Sequence, residues 1–347
     1  MTFETGSSVI PAELLPRFEF LCKELHTATI LLLRRSRVRG FSLRMILTHD
    51  LAAEIERLRP SSAENGSVFT TERLSGTVVA KTLCPREQGE PYSVVMSDAP
   101  WVEEDGEAFT NGIATVAHEL GHCAIETVRR ASGSALSEDG LTTGELAARE
   151  IVRAALDEYR ADVYEDLFLQ AMGDAGEGGE TEPLRLHHLY GRRFTESLGE
   201  VLSDEVYPGW PDRVQAFTDR EVPLDEMWTG LVRSSWDVFV TMAHAASIAS
   251  TAEGPDQIAG EFASHPAVML YLREPWLCLL AIARVFRPVC SVSAHAKMQA
   301  RAYSVGVGAV LGMWSKLGVS FAPNDDGSTC IGVAEPLRFP DCPERDA

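Results

Sequence analysis

The pentapeptide His118-Glu119-Leu120-Gly121-His122, placed directly after the apolar run Ile113, Ala114, Val116 and Ala117, constrains the fold of this chain most tightly. The apolar spacing predicts a buried helix that starts at Thr110 or Asn111, either of which can cap it, and runs to about Arg130. On an α-helix, residues four apart stand one above the other, about 6 Å along the axis, so both imidazoles can converge on one ion. Glu119 is turned roughly 100° from His118 and falls beside that ion, where a general base for a water would sit. Two imidazoles and a carboxylate in a core cost stability unless they are satisfied, and a divalent cation satisfies all three. Gly121 removes a side chain where a second backbone has to approach.

Such an ion needs a third protein ligand and an open position. Glu126 lies on the same helix face but about 12 Å along the axis from His118, too far to share a shell with both histidines, and is expected to hydrogen-bond or face water. A second helix is predicted from near Thr143 to Gln170, with Val152, Ala155, Leu156, Tyr159, Val163 and Leu167 as its apolar stripe. Glu158 and Asp162 stand four apart along the border of that stripe. Glu158 can complete the ligand set with His118 and His122, while Asp162, one turn on, can accept a hydrogen bond from a ligand imidazole and fix its tautomer.

HExxH followed by ExxxD on a later helix resembles the gluzincin pattern of thermolysin-like zinc metallopeptidases. The local texture, HELGH and then E-x-x-A-D-x-Y with Leu167-Phe168 after it, is most similar to the compact ImmA/IrrE-type intracellular metallopeptidases. The resemblance spans roughly residues 65 to 172. It implies an α+β fold: a zincin-like core of a small sheet, the HExxH helix and the glutamate helix, followed by a mostly helical C-terminal region. It implies Zn2+ held by His118, His122 and Glu158, with Glu119 as general base, Asp162 behind the ligands, and a peptide or protein as substrate. It also implies an edge strand on which an extended substrate lies, for which Tyr92 to Met96 is the counterpart. The metzincin extension needs Gly at 125 and His at 128; Ile125 and Val128 exclude that class. A His/His/Glu set with open positions also suits iron, so the alternative is a zinc- or iron-dependent tailoring enzyme acting on a small molecule or modified peptide. His187, His188, Tyr190, His244 and His295 are the candidates for a donor to the oxyanion.

The remaining sequence divides into an N-terminal helical segment (1–64), the catalytic core (65–182), a helical subdomain (183–318) and an irregular tail (319–347). Helices are predicted over 12–35 and 41–58, strands at Ser67–Thr71, Gly76–Ala80 and Tyr92–Met96, and long helices over 224–250, 266–286 and 292–317. Glu138 to Glu182 is strongly acidic and reads as a solvated face plus a loose linker. Arg129-Arg130 are expected to complement the helix dipole and Cys123 to pack as a small hydrophobe.

Composition narrows the partners. A net charge of −20 disfavours nucleic acid and anionic membrane, which are held by Lys and Arg. The scattered cysteines fit neither a disulfide framework nor a cysteine zinc site. The polar first 16 residues have no signal-peptide pattern, and no apolar stretch reaches the roughly 20 residues of a membrane span. A cytoplasmic location is expected. No phosphate-binding loop and no GxSxG elbow is present. Oligomeric state has no signature in the sequence.

Overall fold

The computed structural model describes residues 1–8, 10–59, 72–73, 76–77, 79–87, 89–102, 106–133, 138–174, 185–252, 262–285, 290–324 and 327–338. The fold is mixed α and β, mostly helical, with a small sheet. The chain forms two compact units. The first comprises Met1–Ser134, Asp157–Tyr190 and Phe286–Lys297; the second comprises Ala135–Leu156, Gly191–Val285 and Met298–Ala347.

The first unit is built on strands β1 (Thr2–Thr5), β2 (Leu43–Thr48), β5 (Ala80–Leu83) and β6 (Tyr92–Ser97) in the order β1-β2-β6-β5. A short separate hairpin pairs β3 (Glu72–Arg73) with β4 (Gly76–Thr77). Strands β1, β2 and β6 run parallel, and β5 lies antiparallel to β6 at the sheet's edge. Successive side chains of a strand point to opposite faces, which divides the core in two. Met45, Leu47, Val94 and Met96 pack with Phe18, Cys22 and Leu25 of α1 (Leu15–Arg35) and with Val116, Leu120 and Cys123 of α4 (Gly106–Ser132). Ile46 and Val95 face the other way, onto Leu51 and Ile55 of α2 (Leu51–Leu58). A short helix α3 (Ala99–Val102) leads into α4.

The single helix expected over 41–58 is instead β2 followed by α2. Leu43 to Thr48 is buried along nearly its whole length between two strands, and a short continuous apolar run does not distinguish such a strand from a buried helix. Asp50 then caps α2 by accepting from the Ala53 N–H at 2.9 Å. The N-terminal segment therefore contributes two strands to the sheet rather than helices alone. Helix α4 starts at Gly106, one turn before the expected Thr110 or Asn111. The expected strand Ser67–Thr71 lies outside the described residues.

Helix α5 (Thr143–Asp174) begins with a reciprocal cap: the Glu145 N–H donates to Thr142 Oγ1, and the Thr142 N–H donates to Glu145 Oε2. Its stripe matches expectation up to Tyr159, but Leu167 is exposed and Ala161, Tyr164 and Leu169 are buried instead. The acidic bias is only partly a solvated face: Glu138, Asp139 and Glu150 are exposed, but Asp162, Glu165 and Asp166 are buried, and the linker expected after Asp174 lies outside the described residues. Asp166 accepts from Arg185 and from the Leu186 N–H at 3.1 Å, at the start of α6 (Leu186–Val201).

The second unit contains the remainder of α6, a π-type segment Leu202–Gly209, α7 (Trp210–Thr218), α8 (Leu224–Ala252), a second π-type turn Val268–Leu272, α9 (Arg273–Ala283) and most of α10 (Val292–Lys316). Buried Trp210 and Trp314 donate their indole N–H groups to Ser234 and Ser235, adjacent on α8. The segment after 319, expected to be irregular, forms a hairpin of β7 (Val319–Pro323) and β8 (Thr329–Val333). It is held because Phe321 packs on Trp228 and Trp314 and fills the space that Gly144 leaves open. Among the described residues no helix is long and apolar enough to cross a membrane. The thiols of Cys22, Cys84, Cys123, Cys278, Cys290 and Cys330 are free.

Candidate metal centre

Helix α4 presents His118 and His122 one turn apart, their rings crossed at 76° with centroids 4.8 Å apart. Helix α5 lies close against α4 at this level because Gly121 has no side chain: a Cβ there would stand 3.1 Å from Ala161 Cα and 3.2 Å from Tyr164 Cβ. That approach brings in Glu158. Its Oε2 lies 3.2 Å from His118 Nε2 and 3.2 Å from His122 Nε2, and the two Nε2 atoms are 3.1 Å apart. A tetrahedral ion with bonds of roughly 2.0–2.1 Å holds its ligands about 3.3 Å from one another, so this near-equilateral triangle is within a few tenths of an ångström of such a face. The donor set of two imidazoles and one carboxylate suits zinc and leaves a fourth position for water or substrate.

Behind the triangle, His118 Nδ1 meets Asp162 Oδ1 at 3.0 Å and Glu165 Oε2 at 3.4 Å. With the Nδ1–H donated to these carboxylates, release of the Nε2 proton would leave a lone pair facing Glu158 and His122. Burial disfavours a charged His118 ring, but hydrogen bonds to Asp162, Glu158 and Glu165 outweigh it and hold this histidine well above the usual imidazole range. The surroundings therefore favour positive charge at this point. Exposure is graded: the side chains of His122 and Glu158 are 21% and 20% accessible, whereas those of Asp162 and Glu165 are 6% and 5%. The triangle can be reached from solvent and its backing is sealed.

Glu119, the residue after His118 on α4, is buried and receives the Thr82 hydroxyl of β5, whose Oγ1 lies 2.5 Å from its Oε2 and 3.1 Å from its backbone oxygen. The strand that touches this carboxylate is thus β5. Strand β6, the expected edge, lies inside the sheet between β2 and β5, where both sides are already paired. Past the site, Arg129 ties the two helices together. It donates to Glu126 on its own helix and to Asp157, the residue before Glu158. Burial works against the Arg129 charge, yet Asp157 and Glu126 raise its pKa further above the ordinary guanidinium value. Arg130 bonds Glu126 and the Pro85 carbonyl. Both arginines stand in the last turn of α4, as dipole complementation requires, and are engaged in these ion pairs as well; Glu126 has the hydrogen-bonding role expected of it. Cys123 is fully buried.

The structure therefore brings His118, His122, Glu158 and Asp162 together, and ties Glu119 to Thr82. Sequence reasoning missed Glu165 and Thr82. Glu165 continues the spacing of Glu158 and Asp162 on one helix face, so that pattern could have revealed it; nothing local marks Thr82. Of the oxyanion-donor candidates, the side chains of His187 and His188 lie outside the described residues. Tyr190 is half-buried, and His244 belongs to the second unit. His295 is buried in the field of Arg160, Arg129 and Asp157.

Compared with known proteins, the chain matches no family model, no curated protein and no solved structure.

Proposed function

We propose that the chain is a zinc-dependent peptidase, with a zincin-like core formed by the β1-β2-β6-β5 sheet, α4 and α5. One observation carries this reading: two imidazole nitrogens and a carboxylate oxygen from separate helices meet at 3.1–3.2 Å. A zinc ion held by His118, His122 and Glu158 supplies Lewis acidity toward a carbonyl and lowers the pKa of a water. Asp162 and Glu165 orient His118. Glu119 serves as the base that takes a proton and returns it to the leaving amine, with the Thr82 hydroxyl steadying one of its oxygens. Strand β5 has β6 on one side and no strand on the other among the described residues, so an extended peptide can add along it. The free thiols and the absence of a membrane-spanning helix among the described residues are compatible with a cytoplasmic peptidase.

The test is Glu119→Gln, assayed with zinc-loaded protein on a mixed-sequence peptide library read by mass spectrometry. The variant should retain its zinc and lose turnover by about 10²-fold or more. Undiminished cleavage by zinc-loaded Glu119→Gln would refute the assignment of the base. Iron in the purified protein with oxygen-dependent turnover would instead support the tailoring-enzyme alternative.

A further inference from the structure

The second unit holds a cavity of 470 Å³, within the size range of small-molecule sites and well above the roughly 150 Å³ at which a dry apolar cavity already accepts benzene. Its walls come from Leu198 of α6, Leu202 just beyond it, Met242 of α8, and Leu272 with Trp276 where the second π-type turn runs into α9. Trp276 contributes ring carbon, because its indole Nε1 is sealed away from the open space. Among the described lining residues Arg273 alone is charged, and it is exposed. Leu277, four residues on along α9, is 53% exposed and also on the lining, so this face of α9 marks where the cavity meets solvent. Deeper in, the walls offer apolar contact and no side-chain hydrogen bond.

The backbone singles out the same place. The π-type segments Leu202–Gly209 and Val268–Leu272 both border the cavity, the first through Leu202 and the second through Val268 and Leu272. Such wide turns are rare, and where they occur they frequently shape a functional site.

We propose that this cavity binds one uncharged apolar small molecule, its hydrocarbon body against Leu198, Leu202, Met242 and Leu272. A carboxylate or phosphate carried inside would lose its hydration and gain no partner, so a charged amphiphile is the poorer match. Water is a poor occupant for the same reason, because a buried water needs several polar partners. The inference rests on the second unit alone and does not depend on the metal-centre reading.

The experiment is calorimetric titration of the full-length protein with 1-decanol and, separately, with decanoate, which has the same chain length and a charge. Decanol should bind saturably, one per chain, and about tenfold or more tightly than decanoate. Met242→Trp, which fills the cavity, should abolish decanol binding, with the urea midpoint reporting whether the variant is folded. A second measurement needs no cavity-filling variant: 10-bromodecan-1-ol, whose bromine quenches a tryptophan only at close range, should dim the wild type saturably, and Trp276→Phe should lose most of that quenching while still binding decanol. Absence of saturable decanol binding to the wild type, decanoate binding as tightly as decanol, or bromodecanol quenching unchanged in Trp276→Phe overturns the proposal.

Discussion

Gly121→Ala tests whether close approach of α4 and α5 sets the metal centre. Alanine in a helix interior is favoured over glycine by about 1 kcal/mol, so propensity alone would make the variant more stable. The added Cβ would stand 3.1 Å from Ala161 Cα, 3.2 Å from Tyr164 Cβ and 3.4 Å from the Ala161 carbonyl oxygen. Two of these atoms are backbone and cannot rotate away, so α5 has to retreat by a few tenths of an ångström. Overpacking of this kind costs roughly 1–3 kcal/mol, which exceeds the propensity gain and leaves the variant about 1 kcal/mol less stable. The same retreat lengthens the 3.2 Å separations of Glu158 from both histidines, and zinc affinity should fall about tenfold, the low end for altered support of a metal ligand. Gly308→Ala is the control, because a Cβ there meets nothing within 4 Å and the variant gains propensity alone. Urea unfolding of the metal-free proteins and zinc titration against a competing chelator measure both quantities. If Gly121→Ala stabilises as much as Gly308→Ala and binds zinc as the wild type does, the argument from helix proximity is wrong.

Two further outcomes follow from the groups around the centre. Asp157→Ala leaves the Arg129 charge largely buried with Glu126 as its remaining partner and should cost about 3 kcal/mol, read as a lower urea midpoint at unchanged slope. His295 is held down to about 3, first by burial and then by Arg160 and Arg129. An unfolded histidine titrates near 6.5, so between these values the unfolded chain binds the extra proton. The neutral ring's contribution is complete above about pH 6.5 and is lost as pH falls toward 3. Metal-free His295→Phe should therefore lose less stability than wild type between pH 7.5 and pH 5, as measured by urea midpoints.

Legibility of the sequence followed the range of the forces involved. The HExxH helix and the pairing of Glu158 with Asp162 were readable because a helix places residues four apart on one face, and that spacing is local. Gly121 was readable for the same reason, since a missing side chain inside an apolar helix signals a close neighbour. Strand β2 was not, because Leu43, Ile46 and Leu47 fit helical spacing, and what makes them a strand is pairing with distant β1 and β6. The buried acids of α5 were misread because charge reports solvent only on average; Asp162, Glu165 and Asp166 are matched by His118, Arg185 and the Leu186 N–H. Choosing β6 over β5 as the edge had the same origin, as sheet order is set by long-range pairing. The Phe321 anchor that orders the final hairpin depends on Trp228, Trp314 and Gly144, all remote in sequence.

Metal stoichiometry, measured by mass spectrometry on protein purified without added zinc, addresses the convergence of His118, His122 and Glu158 most directly. One equivalent of zinc per chain in the wild type, lost in a folded Glu158→Ala variant, is the predicted result. A wild-type protein that neither carries nor takes up a divalent metal, or a Glu158→Ala protein that holds it as tightly, would contradict the account.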